Sequence, residues 1–149
     1  MKADYCTFTF VNAWYGQIVW NDNRVIDVKI KERDPEKISD DAKNALDFFL
    51  GNYASYENEI LNGIIKYYQD RRSDLGNFAP DDPDYPEVKE IHDILKMIIL
   101  IGITIPKQSL YGHHSVWLVY DCTWEEEHGL GVCLSEGKIT EIGFQDCAV

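Results

Sequence analysis

The stretch RVIDVKIKERDPEKISDDAKNALDFFL, residues 24–50, is the most informative about the fold because its hydrophobic pattern changes period within it. Residues 25–30 alternate between apolar and polar side chains, which is typical of a half-buried β-strand. After Ser39, the apolar side chains of residues 42–49 recur at helical spacing, and serine is a favoured N-cap residue. The chain therefore passes from a sheet to helices between these two segments.

Strands are predicted on both sides of the helical region, from alternating apolar residues and intervening turn residues. The N-terminal strands are residues 4–11, 13–20 and 24–32, and the C-terminal strands are residues 100–108, 114–122 and the hairpin 129–144. Each set forms a meander of sequential strands. The predicted fold class is therefore α+β: an antiparallel sheet from N- and C-terminal meanders with about three helices inserted between them, in a single domain of residues 1–149.

The three helices are predicted at residues 39–50, 53–72 and 87–98. Gly51 with Asn52 forms a helix stop signal after the first, and Pro86 suits the first turn of the third. The intervening residues 73–87 are rich in proline and aspartate, so a mobile loop is expected there. A calcium-binding loop is disfavoured, because its required glycine and glutamate are out of register.

The chain has a net charge of −12, and this charge is concentrated in its second half. Residues 73–149 contain 14 acidic and 4 basic residues, a balance of −10, whereas residues 1–72 have a balance of −2. The negative charge disfavours nucleic-acid binding, because phosphates would be repelled, and favours a basic protein partner. The predicted partner-binding residues are Asp81, Asp82, Asp84, Tyr85, Glu125 and Glu126, with Tyr85 or Phe78 as an exposed apolar anchor.

The first residues contain no apolar core of a signal peptide, and the longest apolar run is far shorter than a membrane span. We therefore expect a cytoplasmic protein without a membrane interaction. In that compartment the four cysteines are expected to be reduced thiols that hold no metal, and no cofactor is predicted. The alternative is a zinc site from Cys122, His128, Cys133 and Cys147, but these spacings match no standard ligand pattern.

The segment DCTWEEEHGLGV, residues 121–132, is the densest cluster of chemically distinctive residues in the chain. A structural interpretation has Trp124 packed in the core and His128 bonded to a carbonyl. Gly129 and Gly131 then form a bend that requires positive φ. This interpretation needs no ligand and no substrate.

A catalytic interpretation of the same segment pairs Glu127 with His128 as general base and acid, with Cys122 or Cys133 as the nucleophile. Sequence neighbours on a strand point to opposite faces, so this pair needs a turn to meet. No catalytic residue is therefore assigned, and acid–base chemistry by Glu127 and His128 stays an alternative.

The segment also carries the pattern D-x-x-W-x-x-E-H-G-x-G, formed by Asp121, Trp124, Glu127, His128, Gly129 and Gly131. This pattern resembles the C-terminal part of a family of small uncharacterised bacterial proteins. The resemblance implies domains that occur beside polymorphic or contact-dependent toxins and act as immunity factors. It implies no established activity for the motif residues.

Three functions are consistent with these observations. The first is an immunity protein that neutralises a basic toxin domain by stoichiometric binding. The second is an enzyme that uses Glu127 and His128, and the third is a domain that binds a small molecule between its helices and its sheet. The fold class alone does not choose between them, because one architecture hosts many functions.

Overall fold

The computed structural model describes all 149 residues, Met1–Val149, as one seven-stranded sheet with a long helix packed on one face. The strands are β1 (Thr9–Phe10), β2 (Trp14–Val19), β3 (Val25–Ile30), β4 (Ile98–Ile105), β5 (Ser115–Cys122), β6 (Leu130–Ser135) and β7 (Lys138–Gly143). The helices are α1 (Asp40–Leu75), α2 (Ile91–Leu95) and α3 (Gln108–Tyr111), with 3₁₀ turns at Tyr5–Thr7 and Gln145–Ala148. The predicted mixed class and the two meanders are confirmed, and both meanders belong to the same sheet.

The sheet is antiparallel except where β3 meets β4, which run parallel with Ile30 opposite Ile105. The prediction of a wholly antiparallel sheet is therefore wrong at this pair. Parallel neighbours need a crossover of a dozen or more residues, and α1 supplies it. The sequence pattern of each strand does not reveal this, because periodicity says nothing about strand direction.

The helical region is one helix of 36 residues, not two helices broken at residues 51–52. Its predicted N-cap is confirmed, because the Ser39 hydroxyl accepts a hydrogen bond from the backbone N–H of Ala42 over 3.2 Å. Gly51 lies on the exposed side, while Leu50 and Tyr53 next to it are buried. Burial of this continuous apolar stripe outweighs the roughly 1 kcal/mol by which glycine disfavours a helix.

The third predicted helix, residues 87–98, is confirmed only in part: α2 forms there over five residues, Ile91–Leu95, and β4 begins at Ile98. A capping box between Glu90 and Asp93 starts α2, so Pro86 does not open the helix. Helix α3 lies between β4 and β5. The helices are therefore not a set of three inserted between the two meanders.

The main core lies between α1 and one face of the sheet. Its largest fully buried side chains are Phe49, Tyr68, Ile26, Ile30, Leu46, Ile60, Ile64, Ile94, Ile103, Ile105, Leu118 and Leu130. On the opposite face, the 145–148 turn covers β5 and β6, where Trp117, Val119 and Cys133 pack against Ala148. None of the helices combines the length and the apolar composition that crossing a membrane requires.

Candidate functional site

The end of α1 holds residues 76–88, here called the acidic loop, in a fixed conformation. The Arg72 guanidinium donates hydrogen bonds to the carbonyls of Phe78 and Ala79, each over 2.9 Å, and to that of Tyr85 over 2.8 Å. The Tyr68 hydroxyl donates to the carbonyl of Pro86 over 2.6 Å. These side chains satisfy backbone carbonyls that would otherwise need water, so the predicted mobile segment is anchored to the helix.

The acidic loop contacts residues 121–129, here called the motif turn. The Tyr85 hydroxyl donates a hydrogen bond to the Trp124 carbonyl over 3.2 Å. Trp124 is buried, as predicted, and meets the ring of Tyr68 edge-on with 4.9 Å between centroids. Two segments about forty residues apart in the chain therefore form one surface.

The predicted partner-binding residues divide into two kinds in this surface. Asp81, Asp84 and Glu126 are exposed and form no ion pair within the chain. Asp82 instead accepts backbone hydrogen bonds from residues 84 and 85, so it shapes the loop. The Glu125 carboxylate instead contacts His128 in the motif turn and Arg71 of the long helix.

The predicted apolar anchors are not freely exposed. Tyr85 and Phe78 are both half-buried, and their rings stack with 4.7 Å between centroids. The Arg72 guanidinium lies 5.9 Å from the centroid of the Phe78 ring. The stacked pair therefore packs against Arg72 and helps to hold the acidic loop in place.

His128 pairs with Glu125 and not with Glu127. Its Nδ1 lies 3.0 Å from the Glu125 carboxylate, whereas the exposed Glu127 forms no hydrogen bond or ion pair with it. The hydrogen bond from His128 lowers the pKa of Glu125, with a smaller contribution from Arg71, 3.6 Å from the carboxylate. The turn places residues three apart on the same side, so the carboxylate that meets His128 is Glu125 and not the expected Glu127.

Sequence reasoning missed the aromatic and cationic partners of this histidine. The His128 ring stacks on Phe144 with 4.7 Å between centroids, and the Arg71 guanidinium lies 5.2 Å from the centroid of the same Phe144 ring. Both partners come from outside the motif. The sequence gives no signal for either partner, because Phe144 lies 16 residues and Arg71 57 residues from His128 in the chain.

Neither predicted nucleophile stands beside His128. Cys122 points into the main core, and burial raises the pKa of its thiol to about 11. Cys133 faces the other side of the sheet, where burial raises its thiol pKa to about 12. A nucleophilic cysteine requires a lowered pKa. Because the two cysteines lie on opposite faces, the zinc site drawn from sequence spacing does not assemble.

The two glycines of the motif turn have different roles. Gly129 has a φ of +60°, and a β-carbon there would collide with the side chain of Gln145. The expected positive φ does not occur at Gly131. Its β-carbon would instead lie 2.8 Å from both the Cys147 sulfur and the Phe144 carbonyl oxygen. Gly131 is therefore required by the close approach of the 145–148 turn.

The 145–148 turn is also tied to the motif by Gln145. Its side-chain amide donates to the Tyr120 carbonyl over 2.7 Å and to the Asp121 carboxylate over 3.2 Å. Its backbone N–H donates to the His128 carbonyl over 2.8 Å. The motif residues Asp121 and His128 thus fix the path of the residues that follow β7.

A family model described as a domain of unknown function, DUF6985, matches residues 5–149, which includes the sheet, the helices and the motif turn. The chain belongs to the DUF6985 family. No curated protein and no solved structure matches it. The expectation of an uncharacterised domain family is confirmed, and the family description assigns no activity to the motif residues.

The DUF6985 domain also has a basic cleft of about 750 Å³ between the end of β3 and α3. The negative net charge of the chain gave no indication of it. Its lining includes the cations Lys29, Lys31, Arg33, Lys37 and Lys107. None of these side chains forms an ion pair with a carboxylate side chain of the domain. The alternation of bases along residues 29–33 was the signal in the sequence.

Proposed function

We propose that the DUF6985 domain acts by stoichiometric binding of a basic protein through its acidic surface, defined as Asp81, Asp84, Glu126 and Glu127. The observation that carries the proposal is the hydrogen bond from Tyr85 to the Trp124 carbonyl, which joins the two segments bearing these carboxylates. All four are exposed, and none is neutralised by an ion pair within the chain.

The rigidity of this surface supports binding. Arg72, Tyr68 and Tyr85 fix the acidic loop to α1 and to the motif turn, so little conformational entropy is lost when a partner docks. Exposed charges of one sign attract an opposite surface and speed association, and salt screens them over about 8 Å at physiological strength. The partner we propose is a basic toxin domain, for which the motif resemblance and the charge are the support.

The test compares two variants with the same net charge. Asp84→Lys with Glu126→Lys reverses two carboxylates of the acidic surface, and Glu36→Lys with Glu59→Lys reverses two exposed carboxylates elsewhere. A partner is first captured from the source cell with the wild-type domain, and its association rate is then measured across a salt series. We expect several-fold slower association and a flatter salt dependence for the first variant only.

Equal behaviour of the two variants, or association that does not change with salt, would contradict the acidic surface as the binding site. Turnover of a substrate that is abolished by His128→Ala, with the fold retained by circular dichroism, would contradict binding as the function. The Glu125–His128 pair makes that second measurement necessary, because a carboxylate beside a histidine is a possible acid–base pair.

The basic cleft favours a second candidate function, the binding of a small anion. Its two acidic residues are occupied: the Glu32 carboxylate accepts hydrogen bonds from Ser39, and the Asp34 carboxylate accepts one from the backbone N–H of Glu36. The Lys31 ammonium donates a hydrogen bond to the Val149 carbonyl over 3.3 Å. The side chains of the other four cleft cations form no hydrogen bond or ion pair within the chain, so these four are available to bind a ligand that carries phosphate or several carboxylates.

Thermal unfolding in increasing pyrophosphate or citrate tests the anion site. We expect a ligand-dependent rise in Tm for the wild type that is lost in Lys37→Gln with Lys107→Gln. The control is Lys96→Gln with Lys138→Gln, which removes two exposed cations outside the cleft. The same rise in both variants would show a non-specific salt effect and reject the site.

A further inference from the structure

Three potential metal ligands meet on the sheet face opposite α1. Cys133 on β6 and Glu141 on β7 are directly paired across the two strands. Cys147 comes from the 145–148 turn, which packs on the same face. The two sulfur atoms and a Glu141 carboxylate oxygen all lie within 4.8 Å of one another.

This spacing is close to what a tetrahedral zinc site requires. With zinc–sulfur bonds of about 2.3 Å and a zinc–oxygen bond of about 2.0 Å, the ligand atoms are roughly 3.5–3.8 Å apart. The present separations, which are at most 4.8 Å, therefore need to contract by about 1.3 Å at most. Glu141 is exposed and Cys147 is half-buried, so rotation of these two side chains can supply the movement while Cys133 stays buried.

The ligand types select the metal. Two thiolates are soft ligands that disfavour magnesium and calcium, and a carboxylate beside them suits zinc. Binding replaces the two thiol protons, which pass to solvent, and the thiol of Cys133 gives up its present hydrogen bond to the Cys147 carbonyl, 3.1 Å away.

The surroundings leave room for a fourth ligand. A cavity of about 350 Å³ opens beside the three groups and is also lined by Asp146, Trp117 and Lys31. The Lys31 ammonium lies 5.4 Å from the centroid of the Trp117 ring. Two thiolates, a carboxylate and a divalent ion sum to a net negative charge, which this lysine is placed to balance. The fourth position can be taken by water or by the carboxylate of Asp146.

We propose that Cys133, Glu141 and Cys147 form a zinc site that fixes the 145–148 turn to β6 and β7. This ligand set was not evident from sequence, because Glu141 becomes a neighbour of Cys133 only through strand pairing. It departs from the expectation of metal-free thiols. The three proposed ligands include none of the four carboxylates that define the proposed protein-binding surface.

The test is metal analysis of protein purified without a histidine tag and under reducing conditions, after addition of zinc and removal of the excess. We expect stoichiometric zinc in the wild type, its loss in Cys147→Ser and in Cys133→Ser, and at least tenfold weaker binding in Glu141→Gln. The controls are Cys6→Ser and Cys122→Ser, which should keep the metal. Cobalt substitution should give thiolate-to-metal charge-transfer absorption that disappears with the same ligand variants.

Cys133 is buried, so its substitution could remove zinc by disturbing the fold. A second measurement separates these two causes. A chelator should lower the Tm of the wild type and leave that of Cys147→Ser unchanged. Absence of stoichiometric zinc in the reduced wild type would overturn the proposal, as would zinc retained in Cys147→Ser. A Cys133–Cys147 disulfide that persists in the reducing buffer, seen as a two-hydrogen mass loss, would overturn it as well.

Discussion

The Tyr85 hydroxyl donates a hydrogen bond to the main-chain carbonyl of Trp124 over 3.2 Å, which joins the acidic loop to the motif turn. The Tyr85 ring stacks on Phe78 from within the loop, and the Trp124 ring packs against Tyr68 of α1. The surface that carries the proposed function therefore depends on contacts between residues far apart in sequence.

Tyr85→Phe removes this hydrogen bond and keeps the stacked ring. We expect the free energy of unfolding to fall by about 1 kcal/mol, the net contribution of a typical hydrogen bond. Chemical denaturation measures the change. Tyr111→Phe is the matched control, because its ring packs edge-on against Trp117 while its hydroxyl makes no hydrogen bond in the chain. An equal loss of unfolding free energy in the two variants would mean that the Tyr85 hydroxyl does not stabilise the contact between the acidic loop and the motif turn.

Trp124→Ala should be strongly destabilising, by about 3–5 kcal/mol, because it empties a large buried site between α1 and the motif turn. Glu126→Ala should change stability by less than about 0.5 kcal/mol, since that side chain is exposed. Thermal and denaturant unfolding give both values. A loss for Glu126→Ala that approaches the loss for Trp124→Ala would contradict this arrangement of the turn.

Stability should decrease in acid through Glu125. Its pKa is lowered in the folded state, chiefly by the hydrogen bond with His128, from a usual value of 4.5. The unfolded chain therefore binds the proton first, so the stabilisation is complete well above pH 4.5 and is lost as the pH falls through the lower folded pKa. Denaturation of wild type and Glu125→Gln across this range should show a stability difference that shrinks in acid.

The matched measurement is the same pH series for Glu126→Gln, whose side chain has no partner within the chain. This variant removes an exposed carboxylate of the same turn and leaves the contact between Glu125 and His128 in place. The opposite result would be a difference in unfolding free energy between wild type and Glu125→Gln that grows as the pH falls. That result would reject the stabilising role of the Glu125 carboxylate.

Two glycines should respond in opposite directions to alanine. Gly131→Ala places a β-carbon within 2.8–2.9 Å of atoms of Phe144, Cys147 and Ala148, so displacement of the 145–148 turn should cost about 1–3 kcal/mol. Gly51→Ala meets nothing within 4 Å and should stabilise α1 by up to about 1 kcal/mol. Thermal unfolding distinguishes them, and a stabilising Gly131→Ala would refute the close approach.

Tyr120→Phe should be neutral or stabilising, because the Tyr120 hydroxyl is buried without a hydrogen-bond partner. An unsatisfied buried polar group costs about 1–3 kcal/mol, and phenylalanine removes it without changing the ring. Tyr68→Phe is the contrasting variant, since its hydroxyl donates to the Pro86 carbonyl, and it should lose about 1 kcal/mol. A larger loss for Tyr120→Phe would reveal a bound water or another partner at that hydroxyl.

Local patterns in the sequence determined the features that depend on near neighbours. The alternation in residues 25–30 predicted β3, Ser39 was correctly placed as the N-cap of α1, and the aromatic character of Trp124 predicted its burial. These features follow from backbone geometry and from transfer of apolar area out of water, both of which act over a few residues. The helix stop at residues 51–52 was a local signal too, and it failed because packing of the whole helix outweighed it.

The features that depend on which strands pair and which turns meet become visible only in the folded chain. The parallel register of β3 and β4, the joint between Tyr85 and Trp124, and the meeting of Cys133, Glu141 and Cys147 all bring together distant residues. Side-chain periodicity fixes which face of an element is buried, but it leaves the neighbour on that face undefined. Each candidate site of this chain is built from residues that are distant in sequence. These sites therefore become visible only when the order of the strands places those residues side by side.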